Sequence, residues 1–194
     1  LHIGSINKTN IKHLSETTMR DKRYKYFHCL AEKYNYDAIF TAHHLDDQIE
    51  TFVMRKSQTD DNIILSGIRK INGILYRPLL DISKQEILLY AKENNLNWNE
   101  DKTNLDNGIL RNNIRNNILP RLYTSDLNYK NKILDQIKQN QIISMDILKN
   151  VNQFIKEKTN LVNGNIYIDL ISLSLLDPYV IKYTIKECCK KVGD

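Results

Sequence analysis

This 194-residue chain predicts an α/β fold with a parallel sheet and flanking helices, followed by a mostly helical region. Two short apolar strand candidates, Asp37–Ala42 and Leu75–Leu80, each lead into a segment of helical periodicity. That alternation is what builds parallel sheets. From Asn128 the texture changes to one long amphipathic helix, which places a boundary near Tyr123–Asn128 and divides residues 1–124 from 125–194.

The elements follow in order. Residues 1–14 read as irregular, and 16–35 as a helix with Met19, Tyr26, Phe27, Leu30 and Tyr34 on its apolar face. Leu45–Lys56 is the helix after the first strand, and Ser57–Asn62 is a polar loop. Pro78 has no N–H to give a sheet, so the second strand is short or at an edge. Ser83 with Glu86 three residues on forms a capping box for a helix running to about Asn94. Trp98 opens an irregular acidic stretch, and a helix over Leu110–Leu119 is expected to stop at Pro120. The long helix to about Lys158 presents Ile133, Ile137, Ile143, Ile147, Leu148, Val151 and Ile155. Asn163–Asp169 reads as a turn and short strand, and Asp177-Pro178 starts a last helix that Gly193 ends.

Composition narrows the class. The net charge is +5 with pI near 9.0, which allows a polyanionic partner. No apolar stretch approaches the roughly 18 residues that span a bilayer, and no secretory signal is visible, so a cytoplasmic protein with no membrane partner is expected. Three cysteines, Cys29, Cys188 and Cys189, make no disulfide framework and no C-x-x-C pair, which removes zinc ribbons and thiol-redox centres. The chain has 20 Lys but 8 Arg, all of the latter between Arg20 and Arg121. Chance clustering is one account; a need for the planar guanidinium fork is the other. The first residue is Leu, from which a chain cut from something longer is expected.

The densest chemistry lies in Thr41–Glu50, T-A-H-H-L-D-D-Q-I-E, where a strand end turns into a helix. Open α/β sheets bind ligands at such ends. Asp46 and Glu50 are four apart and Asp47 and Glu50 three apart, so they share a helix face. Acids in a first turn also complement the helix dipole, which is the structural alternative. His43 and His44 have no capping role; they fit either a phosphate contact beside a carboxylate-held divalent metal or a His/Asp transition-metal site. Arg20 and Arg23 are either a solvated face paired with Asp21 or Glu16, or a phosphate clamp. Arg77 at a strand end should project toward a cleft or solvent. Asp101, Asn104 and Asp106 are turn formers on their own. Arg111 and Arg115, four apart with Arg121 beyond, are surface charge or a ridge that binds phosphodiesters.

Taken in order, A-H-H-L-D-D-Q-I-E-T (42–51), R-P-L-L (77–80), W-N-E-D-x-x-N (98–104) and R-N-x-I-R-x-x-I-L-P (111–120) resemble the tRNA(Ile)-lysidine synthetase family, with R-x-x-R-Y (20–24) ahead of them. The resemblance covers about residues 10–123; 125–194 is similar in texture to that family's helical substrate-recognition subdomain. The family belongs to the PP-loop ATP-pyrophosphatases, so a PP-loop (adenine nucleotide alpha hydrolase-like) sheet is implied.

The resemblance also implies a reaction. ATP adenylates the C2 oxygen of the wobble cytidine in the CAU anticodon of tRNA(Ile), releasing pyrophosphate. The ε-amine of free L-lysine then displaces AMP, and decoding changes from AUG to AUA. Asp46, Asp47, Glu50, Arg77, Arg111 and Arg115 would take catalytic roles. His43, His44, Thr51, Arg20, Arg23, Asp101 and Asn104 would bind substrate or nucleotide. Asp47 would hold Mg2+, and a homodimer is left open.

One motif of that family, S-G-G-x-D-S, does not occur in the 194 residues; Ile3-Gly4-Ser5 is not one. Backbone amides of such a loop cradle pyrophosphate. The parallel sheet is therefore expected to be incomplete and the chain an N-terminally truncated portion of a longer product, inactive on its own. A decayed or split reading frame is the alternative. Other classes are a thiolase-type PP-loop enzyme, which would want paired cysteines, a tRNA-binding module without catalysis, and a metal-dependent hydrolase on His43, His44, Asp46 and Asp47.

Overall fold

Strand β1 is only Ile39–Phe40, two residues of the six expected, because the chain leaves the sheet as soon as Thr41 has donated its N–H to Tyr76 O at 2.9 Å. The computed structural model describes residues 2–4 and 16–192, with the side chains of Glu16, Lys102 and Leu105 outside that description. Most of the irregular stretch expected over 1–14, and Gly193, lie outside the described residues. The chain forms two compact units: one holds residues up to Asp47 together with Arg69–Asn97, the other Gln48–Ile68 together with Trp98 onward. The boundary expected near 124–125 falls inside the second unit.

In the first unit, helix α1 spans Glu16–Tyr34. Its expected apolar face is half-buried rather than core, with Ala31 the residue fully covered and Tyr34 exposed. Strand β2 (Ile71–Asn72) turns through Gly73, at φ 58°, into β3 (Leu75–Tyr76). The described strands of this sheet run β1-β3-β2, with β1 parallel to β3 in the register Phe40↔Tyr76 and β2 antiparallel to it. The strand expected over Leu75–Leu80 ends at Tyr76, two residues ahead of Pro78. Helix α4 (Lys84–Glu93) starts at the expected capping box: the Glu86 amide donates to Ser83 Oγ, and the Ser83 amide donates to the Glu86 carboxylate.

The second unit is built on helices. Helix α2 runs Leu45–Lys56, as its periodicity requires, and the unit begins at its fourth residue, Gln48. A short α3 (Asn62–Leu65) follows. A 3-10 turn at Lys102–Leu105 leads to α5 (Leu110–Asn113). Here the expectation of a stop at Pro120 fails. The chain continues through a π-helical stretch, Ile114–Ile118, into α6 (Leu119–Ser125). Pro120 sits in the first turn of α6, where the missing N–H costs little.

Helix α7 spans Tyr129–Lys158. Its inward face is Ile133, Ile137, Ile147, Val151 and Ile155, as expected, with Leu148 half-buried. Ile143 is a correction: it is exposed, and Ser144 takes the buried position because its hydroxyl donates to the Asn140 carbonyl at 2.6 Å. Strands β4 (Thr159–Val162) and β5 (Asn165–Ile168) form a hairpin through Asn163-Gly164, both at positive φ, the geometry of a two-residue type I′ turn. A short α8 (Leu170–Ser174), capped by Asp169, precedes α9 (Pro178–Val192). Asp177 caps α9, accepting from Tyr179 N at 2.8 Å.

Ile49, Phe52, Leu65, Ile114, Leu119, Ile133 and Ile137 form one core. A second core joins Ile147, Val151 and Ile155 of α7 to Val180, Tyr183 and Cys188 of α9. Among the described residues, no helix is long and apolar enough to cross a membrane.

Candidate active site

The segment after β1 is organised by its own polar atoms. His44 N donates to Asp47 Oδ2 at 2.9 Å, and Asp47 N to His44 O at 3.0 Å, so the start of α2 is closed by its own acid. Asp46 Oδ2 accepts from Lys84 N at 2.7 Å, which puts a carboxylate on the N-terminus of α4. Both acids thus carry the helix-dipole role. The histidines do something else. His43 Nδ1 lies 3.0 Å from Thr41 Oγ1. The His44 ring lies between the two acids, Nδ1 at 3.7 Å from Asp46 Oδ2 and Nε2 at 3.6 Å from Asp47 Oδ2. Both distances exceed a hydrogen bond, and His44 Nδ1 is buried without a hydrogen-bond partner. The result is an imidazole beside two carboxylates. Among the described residues, no group of three or more His, Cys, Asp and Glu side chains is placed to hold a metal.

Of the two surroundings expected for Arg77, a cleft or solvent, the second is not observed. Arg77 does not project into solvent but is buried, with 8% of its surface exposed, because its Nη1 donates to Arg69 O at 2.7 Å and its amide to Lys70 O. Its Nε is buried without a partner. The parallel register sets Arg77 next to Thr41, at the carboxyl ends of β3 and β1. Arg20 and Arg23 are exposed on α1, and Arg20 lies 3.8 Å from Asp21, the solvated-face alternative.

The remaining expected site residues lie in the second unit. Glu50 is 1% exposed, and two guanidiniums close on it. Arg111 Nε donates to Oε2 at 2.9 Å, Arg115 Nε to Oε1 at 2.6 Å and Arg115 Nη2 to Oε2 at 3.0 Å. Arg111 also reaches Thr51 Oγ1 at 3.3 Å. One buried carboxylate is shared by two arginines whose side chains still meet solvent, Arg111 at 26% and Arg115 at 38% exposure. Such a group suits an anionic oxygen. Arg115 lies in the π-helical stretch, a distortion common at functional sites.

Asp101 caps the 3-10 turn, and hydrogen bonds from the Thr103 amide and hydroxyl hold its carboxyl below the usual range. Asn104 is exposed, and its carbonyl accepts from Asn116 Nδ2 at 3.1 Å.

Three residues that sequence reading did not single out hold this half together. Asn112, between the two arginines, is buried and its Nδ2 donates to Thr103 O and Asp106 O, fixing the acidic loop. Gln48 exchanges two hydrogen bonds with Ile68, at 2.6 and 3.0 Å. Asp61 is buried and accepts from Lys182 Nζ at 2.6 Å and Tyr183 Oη at 3.0 Å. Asn112 had a signal in its place within R-N-x-x-R; Asp61 and Gln48 have long-range partners that leave none.

Comparison with known proteins adds the lineage. The PP-loop domain matches residues 2–122. The tRNA(Ile)-lysidine synthase of Treponema denticola is 44% identical over 107 residues, 55% of this chain and 23% of that protein. That of Staphylococcus aureus strain MRSA252 is 32% identical over 192 residues, 95% of this chain and 43% of that protein. That of Mycoplasma mycoides is 33% identical over 183 residues, 91% and 43% respectively. The chain therefore spans less than half the length of these relatives. With most of its length matched by that domain, the chain belongs to the PP-loop family.

Proposed function

We propose that these residues form part of a tRNA(Ile)-lysidine synthase, an ATP-using ligase that joins lysine to the wobble cytidine of the CAU-anticodon tRNA(Ile). The observation that carries the reading is the similarity to synthases of that name along 95% of this chain. The geometry supports it. ATP chemistry develops negative charge on phosphate oxygens and needs cations held ready for it. Glu50 holds Arg111 and Arg115 as such a pair, acting as a positioning residue, while Arg77, His43 and His44 mark the carboxyl ends of the parallel strands. Asp47, with Asp46 beside it, offers the hard oxygen donors that Mg2+ prefers, and the ion would neutralise phosphate charge there. The same acids suit the ammonium of lysine, whose amine must lose a proton before it attacks C2 and expels AMP. Thr51, Asp101, Asn104, Arg20 and Arg23 serve binding, and 125–194 serves tRNA recognition.

The sequence holds no S-G-G-x-D-S loop, so the 194 residues by themselves are expected to bind tRNA without adenylating it. The test is labelled-lysine incorporation into a CAU-anticodon tRNA(Ile) transcript with ATP, using the product of the whole gene and then the 194-residue chain. Incorporation by the former that Asp47→Ala abolishes is the expected result. No incorporation, or unchanged incorporation in the variant, overturns the assignment.

A further inference from the structure

Residues Asp61–Ile68 carry polar ties to three helices of the second unit. From α2, Gln48 clasps both the N–H and the carbonyl of Ile68, and Arg55 Nη1 donates to Ile64 O at 2.8 Å and Gly67 O at 3.1 Å. From α7, Asn140 Nδ2 donates to Leu65 O at 3.3 Å and Ser144 Oγ to Asn62 O at 3.1 Å. From α9, Lys182 and Tyr183 both donate to Asp61, whose other oxygen accepts the Ile63 and Ile64 amides and so caps α3. The two α9 donors lie 121 and 122 residues from the carboxylate they share.

A buried carboxylate with four donors is costly to leave unpaired, since each charged hydrogen bond replaces water that cannot return. The short α3 cannot hold its own geometry, being one turn long. Its shape is set by what grips it at each end, Asp61 on one side and Gln48 with Arg55 on the other. We propose that Asp61 is a positioning residue through which α9 holds the Gln48–Lys56 part of α2, the part that carries Glu50 and Thr51. This goes beyond the proposed reaction and holds whatever substrate the site takes. Coupling of this kind is reciprocal: loosening α2 must loosen α9.

Amide hydrogen exchange in the 194-residue chain tests it. In Asp61→Asn and Lys182→Met, exchange at Gln48–Arg55 and Asp61–Ile68 is expected to rise at least tenfold. Lys182→Arg keeps the ion pair and is expected to stay near the native rates. Helix α1, in the first unit, keeps its rates in all three and so reports whether the chain as a whole has unfolded. From the other end, Gln48→Leu is expected to raise exchange over Val180–Thr184 tenfold. A rise confined to α9 and the residues beside Asp61 overturns the coupling, as does an equal rise in every helix including α1. So does a Gln48→Leu variant that leaves α9 unchanged. Should Asp61→Asn not fold, the Lys182 pair decides alone, because that side chain is 56% exposed and its replacement creates no cavity.

Discussion

Replacing Gly67 with alanine separates two effects that usually travel together. Gly67 has φ +80°, and so does Gly164 within a few degrees, at +77°. Both belong to the second unit. A Cβ at either must accept the left-handed region, at about 1–2 kcal/mol. At Gly164 nothing lies within 4 Å of that Cβ, so the backbone term is the whole loss. At Gly67 the Cβ would overlap Gln48 Oε1 and come within 3.3 Å of Ile137 Cγ2. Gln48 must then swing away and surrender both hydrogen bonds to Ile68, at about 1 kcal/mol each. Leaving the Ile68 groups unpaired adds on the order of 1 kcal/mol. Gly67→Ala should therefore destabilise the unit by roughly 2–3 kcal/mol more than Gly164→Ala. Urea unfolding followed by helical circular dichroism reads the difference. In a Gln48→Ala background the extra loss at Gly67 should largely vanish, because the obstructing amide is gone. Equal losses at the two glycines, within about 0.5 kcal/mol, would refute the claim that the Gln48–Ile68 clasp shapes this loop.

Glu50→Ala leaves Arg111 and Arg115 facing each other without their shared carboxylate and should cost about 3–5 kcal/mol in the same urea experiment; a loss under about 1 kcal/mol would mean the buried cluster is not holding α5 to α2. The phenol of Tyr183 is pushed up to about 12 by burial first, then by its bond to Asp61 and that carboxylate's charge. A raised pKa in the folded state means stability that is fully present below the ordinary value of 10.0 and lost as pH climbs through about 12. Native protein should lose stability over that window and Tyr183→Phe should lose less, checked by unfolding midpoints across the alkaline range; parallel profiles would contradict it.

Periodicity alone was enough for α2, whose observed bounds are those expected, and for most of the inward face of α7. Both are long, regularly spaced elements. The capping box at Ser83 was equally legible because it is decided within four residues. Expectation failed where a distant partner decides. Ile143 looked inward on spacing, yet Ser144 is buried because Asn62 and Asn140 supply carbonyls for its hydroxyl. Pro120 looked like a terminator, yet the π-helical stretch ahead of it delivers it into a first turn. Among the site residues, the acids and arginines stood out by type and order. That Arg111 and Arg115 grip Glu50 rather than stand as surface charge depends on contacts 61 and 65 residues apart, which no local pattern carries.

The long separation between Asp61 and its partners has a consequence for biosynthesis. The Gln48–Ile68 segment leaves the ribosome ahead of the Arg69–Asn97 piece of the other unit, and Lys182 arrives 121 residues after Asp61. At elongation rates of about 5–20 residues per second, that interval is roughly 6–24 s. For more than half of that time Ile49, Phe52 and Leu65 have emerged without Ile133 and Ile137, and throughout it a carboxylate destined for burial has no ammonium to meet. The second unit of this protein joins residues made early to residues made much later, so a nascent chain must keep a hydrophobic helix from other company until α7 emerges, and a buried carboxylate without its ammonium until α9 does.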